Sequence, residues 1–225
     1  HLSIRRQRQM CIRDRDRVDL QPETFYARLE AGDERPTTSQ ATEMDFSQAI
    51  EMAVADGATQ VLILTVSSAM SGTYQMALNA AQKALVPVEV IDSKGPTMTL
   101  GWQVLAAARA RDEGATVDEI IQRVAEVRSK LVQIVGMETL DYLQTGGRIG
   151  DAVKWMGTLL KVRPVVSINH ESGRVQPVGL ARTHKAMIQM MYRKFFDGLS
   201  SHKNLRIAAL HGGVLEEAQV LAQRI

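Results

Sequence analysis

The chain has 225 residues, of which 45% are hydrophobic and 23% charged, a balance typical of a folded protein with a sizeable core. Its single cysteine, Cys11, excludes an internal disulfide and a cysteine cluster for zinc or iron–sulfur ligation. No apolar run approaches the roughly 20 residues that cross a bilayer, and the start shows no signal-peptide pattern. We therefore expect a cytoplasmic protein without metal or redox chemistry.

Basic residues are concentrated at the start of the chain. Six arginines and two aspartates lie within residues 1–17, so the remainder has 21 basic and 23 acidic residues and a net charge of −2, against +2 for the whole. Because this segment lacks apolar periodicity, we interpret it as a disordered or non-native tail. The alternative is an arm that binds nucleic acid, but the body of the chain offers no basic surface, and no nucleic-acid partner is expected.

Residues 18–131 alternate between helical and strand-like patterns. After a helix-like segment at 23–30, Thr42 and Asp45 predict the start of the next helix. Short apolar runs at 61–66 and 88–91 predict buried parallel strands, each followed by a helix. A further helix begins at Thr116. This order predicts an α/β domain with a parallel, doubly wound sheet.

Residues 132–225 predict a second α/β domain of mixed or antiparallel topology, with the domain boundary near residue 131. Strand-like runs at 165–168 and 175–180 flank the turn signal His170–Gly173, which favours an antiparallel hairpin. The remaining predictions are strands at 132–137 and 205–210 and helices at 139–145, at 151–160, from Thr183 and from Val214.

A turn rich in hydroxyl groups follows the first predicted strand. Ser67, Ser68, Ser71 and Thr73 surround Gly72 directly before a helix. A helix start offers unpaired N–H groups and the positive end of the helix dipole, and glycine permits close approach, so the turn can hold a carboxylate or phosphate. The same residue types also cap helices, and capping is the competing interpretation.

Four separated motifs, taken in order, resemble the DegV family. They are the segment Pro36–Gln40, the run from Ser67 to Gln75, Val90–Ser93 and Thr139–Ile149, and the resemblance covers about residues 19–225. Members of this family are bacterial two-domain α/β proteins that bind one long-chain fatty acid, and some present it to a separate ATP-using fatty acid kinase. The resemblance thus implies a non-catalytic lipid carrier with no cofactor beyond its bound fatty acid. It also allows transient contact with a membrane.

The resemblance further implies which side chains bind the fatty acid carboxylate. Thr38 and Ser71 correspond to the family's threonine and serine, and Gly72 adds donors at the helix start. A second tier comprises Ser39, Ser68, Thr73 and Ser93. For this tier, a role in capping or in a turn is the competing interpretation.

Two arginines match family positions that would face a phosphate group or the kinase. Arg148 follows Gly146 and Gly147, and Arg182 lies at a predicted strand-to-helix junction. A guanidinium group can pair with a phosphate through two hydrogen bonds. A solvated basic rim is the alternative.

An acyl tail requires an apolar tunnel, since each methylene withdrawn from water contributes roughly 0.8 kcal/mol. Methionine side chains adapt to flexible ligands, although at helical spacing they more often belong to an ordinary core. The candidates for the tunnel are Met44, Met70, Met98, Met137 and Met156.

A serine-dependent acyl-ester hydrolase is the alternative function. Ser71 would be the nucleophile, with a base among His170, His184, His202 and His211. However, the Gly-x-Ser-x-Gly elbow is missing, and no histidine is tied to Ser71 by sequence. The chain also lacks the phosphate-loop and dinucleotide fingerprints, so we expect it to bind neither ATP nor NAD.

The chain departs from the family pattern in three places. The first strand with its Asp-Ser end is missing, Ala41 replaces the usual proline, and the closing His-Gly-Pro-Gly motif is missing. We therefore expect a chain that is truncated at both ends.

Overall fold

The computed structural model describes residues 21–32, 37–155, 162–197, 199 and 204–225. The predicted tail over residues 1–17, Met156 and His202 lie outside these ranges. By its internal contacts the chain divides into two units, of which one is Thr42–Ser201 and the other combines the two flanking segments. We refer to them as the central unit and the flanking unit.

The described elements are helices and short strands. In chain order they are α1 (Pro22–Glu30), α2 (Glu43–Ala55), β1 (Val61–Thr65), α3 (Thr73–Ala81), β2 (Val88–Asp92), α4 (Thr97–Asp112), α5 (Val117–Arg128), β3 (Ile134–Gly136), α6 (Asp141–Thr145), a 3-10 helix (Gly150–Trp155), β4 (Arg163–Ile168), β5 (Val175–Ala181), α7 (His184–Phe196) and α8 (Leu215–Gln223).

The first part of the central unit contains the predicted parallel pairing. β1 and β2 run parallel, with Val61 opposite Val88 and Thr65 opposite Asp92. Helices α4 and α5 pack on this pair through a cluster that includes Ala107. The other buried members of that cluster are Ala110, Ile120 and Val124. The parallel strands and their helical cover confirm the fold class predicted for this part of the chain.

Helices α2 and α5 start where the sequence predicts. The Thr42 hydroxyl accepts the N–H of Asp45, and the Asp45 carboxylate accepts the N–H of Thr42 at 2.8 Å. Thr116 and Glu119 form the same reciprocal pair at the start of α5. Each pair satisfies N–H groups that a helix leaves without partners at its first turn.

The second part of the central unit is an antiparallel sheet in the order β3-β4-β5. Residues 169–174 connect β4 to β5, with the N–H of Gly173 donating to the carbonyl of Asn169 at 2.7 Å. Adjacent residues of β4 face opposite sides of the sheet. Val165 packs with Met187 of α7 on one side, and Val166 packs on the other. The antiparallel hairpin and the mixed α/β class are therefore confirmed.

Two segments differ from their predicted forms. Where an α-helix was expected from residue 151, Gly150–Trp155 form a 3-10 helix. Gly150 has φ of 55° and packs against the backbone of Val175, so the segment begins in a tight turn that favours bonds between residues three apart. The segment 205–210 is not a strand, because no strand among the described residues pairs with it. The two sheets lie on either side of residue 131, and the domain boundary there stays a prediction.

Candidate functional site

Ser67 organises the turn between β1 and α3. Its side chain is fully buried, and its carbonyl accepts the N–H groups of Met70 at 3.0 Å and Ser71 at 3.1 Å. Its hydroxyl accepts the N–H of Ala69 at 3.2 Å. One residue therefore holds three successive backbone N–H groups. The sequence predicts Ser67 only as a member of the hydroxyl-rich turn.

Ser71 and Thr73 meet at the start of α3. Their hydroxyl oxygens are 2.7 Å apart, and the Ser71 oxygen also accepts the N–H of Thr73 at 3.3 Å. Two hydroxyls carry two protons, and their mutual bond uses only one, so one proton can be donated to an external acceptor. Ser71 therefore contributes to the helix start, as the capping interpretation expects, while the pair retains a donor.

Backbone donors accompany this hydroxyl pair. The N–H groups of Tyr74 and Gln75 have no acceptor within hydrogen-bonding geometry among the described residues. Gly72 is exposed and has φ of −71°, so the backbone conformation there does not require glycine. The predicted close approach of a ligand to Gly72 therefore depends on the room left by the missing side chain. It does not depend on a backbone conformation that only glycine adopts.

Asp92, at the end of β2, joins the two strand ends. One carboxylate oxygen accepts the N–H groups of Ser68 at 3.2 Å and Lys94 at 2.9 Å, and the other lies 2.8 Å from the Lys94 ammonium. Burial raises the pKa of Asp92, but the bonds from Lys94 and Ser68 outweigh it, so the pKa lies below its usual 3.8. Asp92 lies within the motif Val90–Ser93, but the sequence alone predicts no role for it.

Of the second-tier hydroxyls, Ser93 has a clear structural role. It is fully buried, and its hydroxyl donates to the carbonyl of Gly95 at 2.9 Å. The buried amide of Gln103 donates to the Ser93 carbonyl at 2.9 Å. The Ser68 side chain is exposed beside the turn. For Ser93, the structure thus favours the turn interpretation over ligand contact.

Two non-glycine residues between the end of β2 and the first residue of α4 lie in the left-handed region. Lys94 has φ of 54° and Thr97 has φ of 52°. Such conformations cost about 1–3 kcal/mol each and persist only when the surrounding structure fixes them. Here the Thr97 hydroxyl accepts from Gln133 at 3.1 Å, and Lys94 is bonded to Asp92.

The turn adjoins an apolar cluster in the second part of the central unit. Met70 and Met137 pack against a buried group that we call the Leu140 cluster. Its buried members are Leu140, Ala152, Val166, Ile168 and Val175. By contrast, Met44 is 69% exposed on α2, and Met98 lies against Gly101 of its own helix.

Arg148 is attached to the same turn. Its Nε donates to the carbonyl of Met70 at 2.9 Å, and one terminal nitrogen donates to the carbonyl of Gly146 at 2.6 Å. The structure thus brings Arg148 beside Ser71. Arg182 is exposed immediately before α7.

Thr38 and Ser39 belong to the flanking unit. Both are exposed in residues 37–42, a stretch outside any helix or strand. Ser71 belongs to the central unit. That Thr38 and Ser71 hold the same carboxylate stays a prediction.

The histidines proposed for a hydrolase make other contacts. His170 Nδ1 lies against a backbone carbonyl of the β2–α4 loop, and His184 Nδ1 is 2.9 Å from the Glu138 carboxylate. Within the described ranges, neither histidine hydrogen-bonds to Ser71. His211 is exposed in the flanking unit.

A cavity lies elsewhere in the described part of the chain. A cavity of about 420 Å³ between α4 and α5 is lined largely by charged side chains, including Glu113, Glu119, Arg123 and Glu126, which do not suit an acyl chain. Among the described residues, no group of three or more histidine, cysteine, aspartate or glutamate side chains is arranged to hold a metal ion. No described helix has the length and apolar character needed to cross a membrane.

Comparison with known proteins identifies relatives along nearly the whole chain. A sequence model described as "Uncharacterised protein, DegV family" matches residues 12–225. A DegV domain-containing protein of Clostridium perfringens is 30% identical over 217 residues, which are 93% of this chain and 74% of that protein.

Solved structures agree with this match. A DegV family protein from Thermus thermophilus, described as fatty acid binding, is 31% identical with a TM-score of 0.76, over 83% of this chain and 66% of that one. DegV from Bacillus subtilis, described as a fatty acid binding protein, is 27% identical with a TM-score of 0.78, over 92% and 73%. The chain thus spans about two thirds to three quarters of these relatives' lengths.

Proposed function

Because this chain belongs to the DegV family, we propose that it binds a long-chain fatty acid without transforming it. The carboxylate would bind to hydroxyl and backbone donors at the Ser67–Thr73 turn, and the acyl tail would lie along the apolar interior. The relatives described as fatty acid binding proteins support this ligand class.

The observation that carries the proposal is the adjacency of Met70 and Ser71. Met70 packs against the Leu140 cluster, whereas the Ser71 hydroxyl lies at the start of α3. The N–H groups of Tyr74 and Gln75 lie there too, with no acceptor in the described part of the chain. One turn therefore joins an apolar surface to donors for an anion. A carboxylate on a long hydrocarbon chain needs both.

We assign the principal contacts to Thr38, Ser71 and Gly72. Neutral hydroxyls donate to a carboxylate without requiring a buried counter-charge. Hydrogen bonds to a charged group contribute about 1.5–3 kcal/mol each, whereas each buried methylene contributes roughly 0.8 kcal/mol. The tail thus provides most of the affinity, and the turn fixes the orientation of the carboxylate.

We further propose that the bound fatty acid is presented, in the cytoplasm, to a kinase that uses ATP. The kinase would transfer the terminal phosphoryl group of ATP to a carboxylate oxygen, which gives an acyl phosphate and ADP. Arg148, held beside Ser71, would then pair with the new phosphate, and Arg182 would face the partner. Both arginines are exposed, as a surface for a partner requires.

The decisive experiment is organic extraction of the purified protein followed by mass spectrometry of the lipid. We expect one long-chain fatty acid per chain, and after its removal we expect calorimetric titration with oleate to restore one equivalent. A folded protein that carries no acyl chain and takes up no oleate would overturn the proposal. Hydrolysis of a chromogenic acyl ester that is lost in Ser71→Ala would favour the hydrolase instead.

A further inference from the structure

The hairpin that joins β4 to β5 is bonded to the strand ends beneath the candidate site. The Ser67 hydroxyl donates to the carbonyl of Gly173 at 2.8 Å, and His170 Nδ1 lies 3.2 Å from the carbonyl of Lys94. We call these two hydrogen bonds the clasp. They connect the ends of β1 and β2 to the tip of the antiparallel hairpin, about 76 to 106 residues away in sequence.

The clasp defines the proton position on His170. A carbonyl oxygen only accepts, so the bond to Lys94 requires the proton to be on Nδ1. The other ring nitrogen, Nε2, is buried and has no hydrogen-bond partner among the described residues. A second proton on Nε2 would therefore have no acceptor, which makes the charged ring unfavourable at this position.

The charged groups that face His170 also disfavour a second proton. Arg128 lies at the end of α5, donates to the carbonyl of Asp92 at 3.1 Å and repels a positive imidazole. The Lys94 ammonium is paired with the Asp92 carboxylate, so that carboxylate is already engaged. Burial and then Arg128 lower the pKa of His170 below 6.5, against the opposing bond to Lys94.

Ser67 belongs to both the clasp and the turn. Ser67 anchors the N–H groups of Ala69, Met70 and Ser71, and its own N–H donates to the carbonyl of Gly95 at 3.2 Å. Gly173 has φ of 73° and lies so close to the Ser67 hydroxyl that a Cβ would overlap it. The hairpin tip therefore fixes where Ser67, and with it the whole turn, can lie.

We propose that Ser67 and His170 are positioning residues for the Ser67–Thr73 turn, and that a second proton on His170 opens the clasp and loosens the turn. The effect on ligand affinity rests on the proposed function, whereas the opening itself does not. Because the folded protein favours the neutral ring, the clasp is closed above pH 6.5. It opens as the pH falls through the pKa that His170 has in the folded protein, which lies below 6.5.

The first test is hydrogen exchange in the ligand-free protein at about pH 8 and at the lowest pH at which circular dichroism shows every variant folded, expressed as protection factors. In the wild type we expect about tenfold loss of protection in the peptide that covers residues 67–71 at the lower pH. His170→Asn carries an amide nitrogen at the position of Nδ1, so it should donate to the Lys94 carbonyl. In this variant the peptide that covers residues 67–71 should stay protected at both pH values. His170→Ala and Ser67→Ala should be weakly protected at both.

The control is His211→Asn, which alters an exposed histidine of the flanking unit and should behave as the wild type does. Circular dichroism at each pH verifies that every variant is folded. The proposal would be overturned if His170→Asn lost protection at low pH to the same extent as the wild type. Full protection of His170→Ala at both pH values would overturn it as well.

The second test is oleate affinity at the same two pH values. The ratio of wild-type to His170→Asn affinity is used, because titration of the oleate carboxyl group cancels in it. We expect the ratio to fall about tenfold at the lower pH, and a constant ratio with measurable binding would overturn the link to affinity. Acid-dependent exchange without oleate binding at either pH would support the clasp and overturn the proposed ligand.

Discussion

The hydroxyl oxygens of Ser71 and Thr73 lie 2.7 Å apart at the first residue of α3. This pair explains how one serine can both support a helix start and remain able to bind a ligand. Ser71 accepts from the backbone of Thr73, and one of the two hydroxyl protons is left over. Removal of the Ser71 oxygen should therefore have a measurable effect on both stability and binding.

Ser71→Ala is expected to weaken oleate binding by about 10- to 100-fold, which corresponds to the loss of one hydrogen bond to a charged group. The free energy of unfolding should fall by only about 0.5–2 kcal/mol, as for other hydroxyls that accept from a helix start. Calorimetric titration and urea unfolding measure the two quantities. An affinity within twofold of the wild type would show that Ser71 is not a ligand contact.

Ser129→Ala is the matched control, because the Ser129 hydroxyl is exposed at the end of α5 and donates to the backbone carbonyl of Glu126. Thr38→Val, alone and combined with Ser71→Ala, then tests whether residues of the two units act on one carboxylate. We expect the double variant to depart from additivity by at least about 0.5 kcal/mol. Strict additivity of the two losses would contradict a shared ligand.

Gly173→Ala is expected to destabilise the protein more than Gly114→Ala does. Both glycines have positive φ, at 73° and 84°, so each substitution incurs the backbone cost of about 1–2 kcal/mol. A Cβ at Gly114 meets nothing within 4 Å, whereas at Gly173 it overlaps the Ser67 hydroxyl. We expect Gly173→Ala to lower the free energy of unfolding by about 1–3 kcal/mol more than Gly114→Ala does, as measured by urea unfolding. Equal losses in the two variants would contradict the close packing of the hairpin tip.

Local features of the fold could be read directly from the sequence. The reciprocal pairs at Thr42 and Thr116 depend on residues three apart, and the hairpin turn depends on four consecutive residues. Such signals are complete within one segment. For the same reason the existence of most helices and strands was predicted, although several ends shifted by a few residues.

The clasp could not be predicted in this way. Ser67 and Gly173 are 106 residues apart, and neither one's neighbours in sequence indicate the other. The roles of Asp92 and Lys94 were missed because they depend on which strand ends meet. Only the resemblance to a family selected Thr38 and Ser71, since hydroxyls at a helix start are equally typical of ordinary caps.

Asp92→Asn should destabilise the protein at neutral pH and change its response to acid. The Asp92 carboxylate is stabilised by Lys94 and Ser68, and its folded pKa lies below 3.8, so its contribution is present above pH 3.8 and lost as the pH falls through the folded value. We expect a loss of about 1–3 kcal/mol at pH 7 that shrinks towards lower pH. Urea unfolding between about pH 2.5 and 7 measures it.

Asp112→Asn provides the comparison, because Asp112 forms an exposed ion pair with Arg111 and such pairs contribute little. Its effect should remain within about 0.5 kcal/mol at every pH. A difference between wild type and Asp92→Asn that stays constant down to the lowest pH would contradict the lowered pKa.

Arg148→Lys separates the charge of Arg148 from its geometry. Lysine keeps the positive charge but cannot reproduce the planar donor that Arg148 offers to the Met70 carbonyl. Because the side chain is exposed, we expect the free energy of unfolding to change by less than about 1 kcal/mol and oleate affinity by less than about threefold. With a bacterial fatty acid kinase and ATP, the rate of acyl phosphate formation should fall about tenfold, since paired hydrogen bonds to phosphate are lost. Arg109→Lys, on the exposed face of α4, should leave this rate unchanged. An unchanged rate in Arg148→Lys would place the phosphate elsewhere.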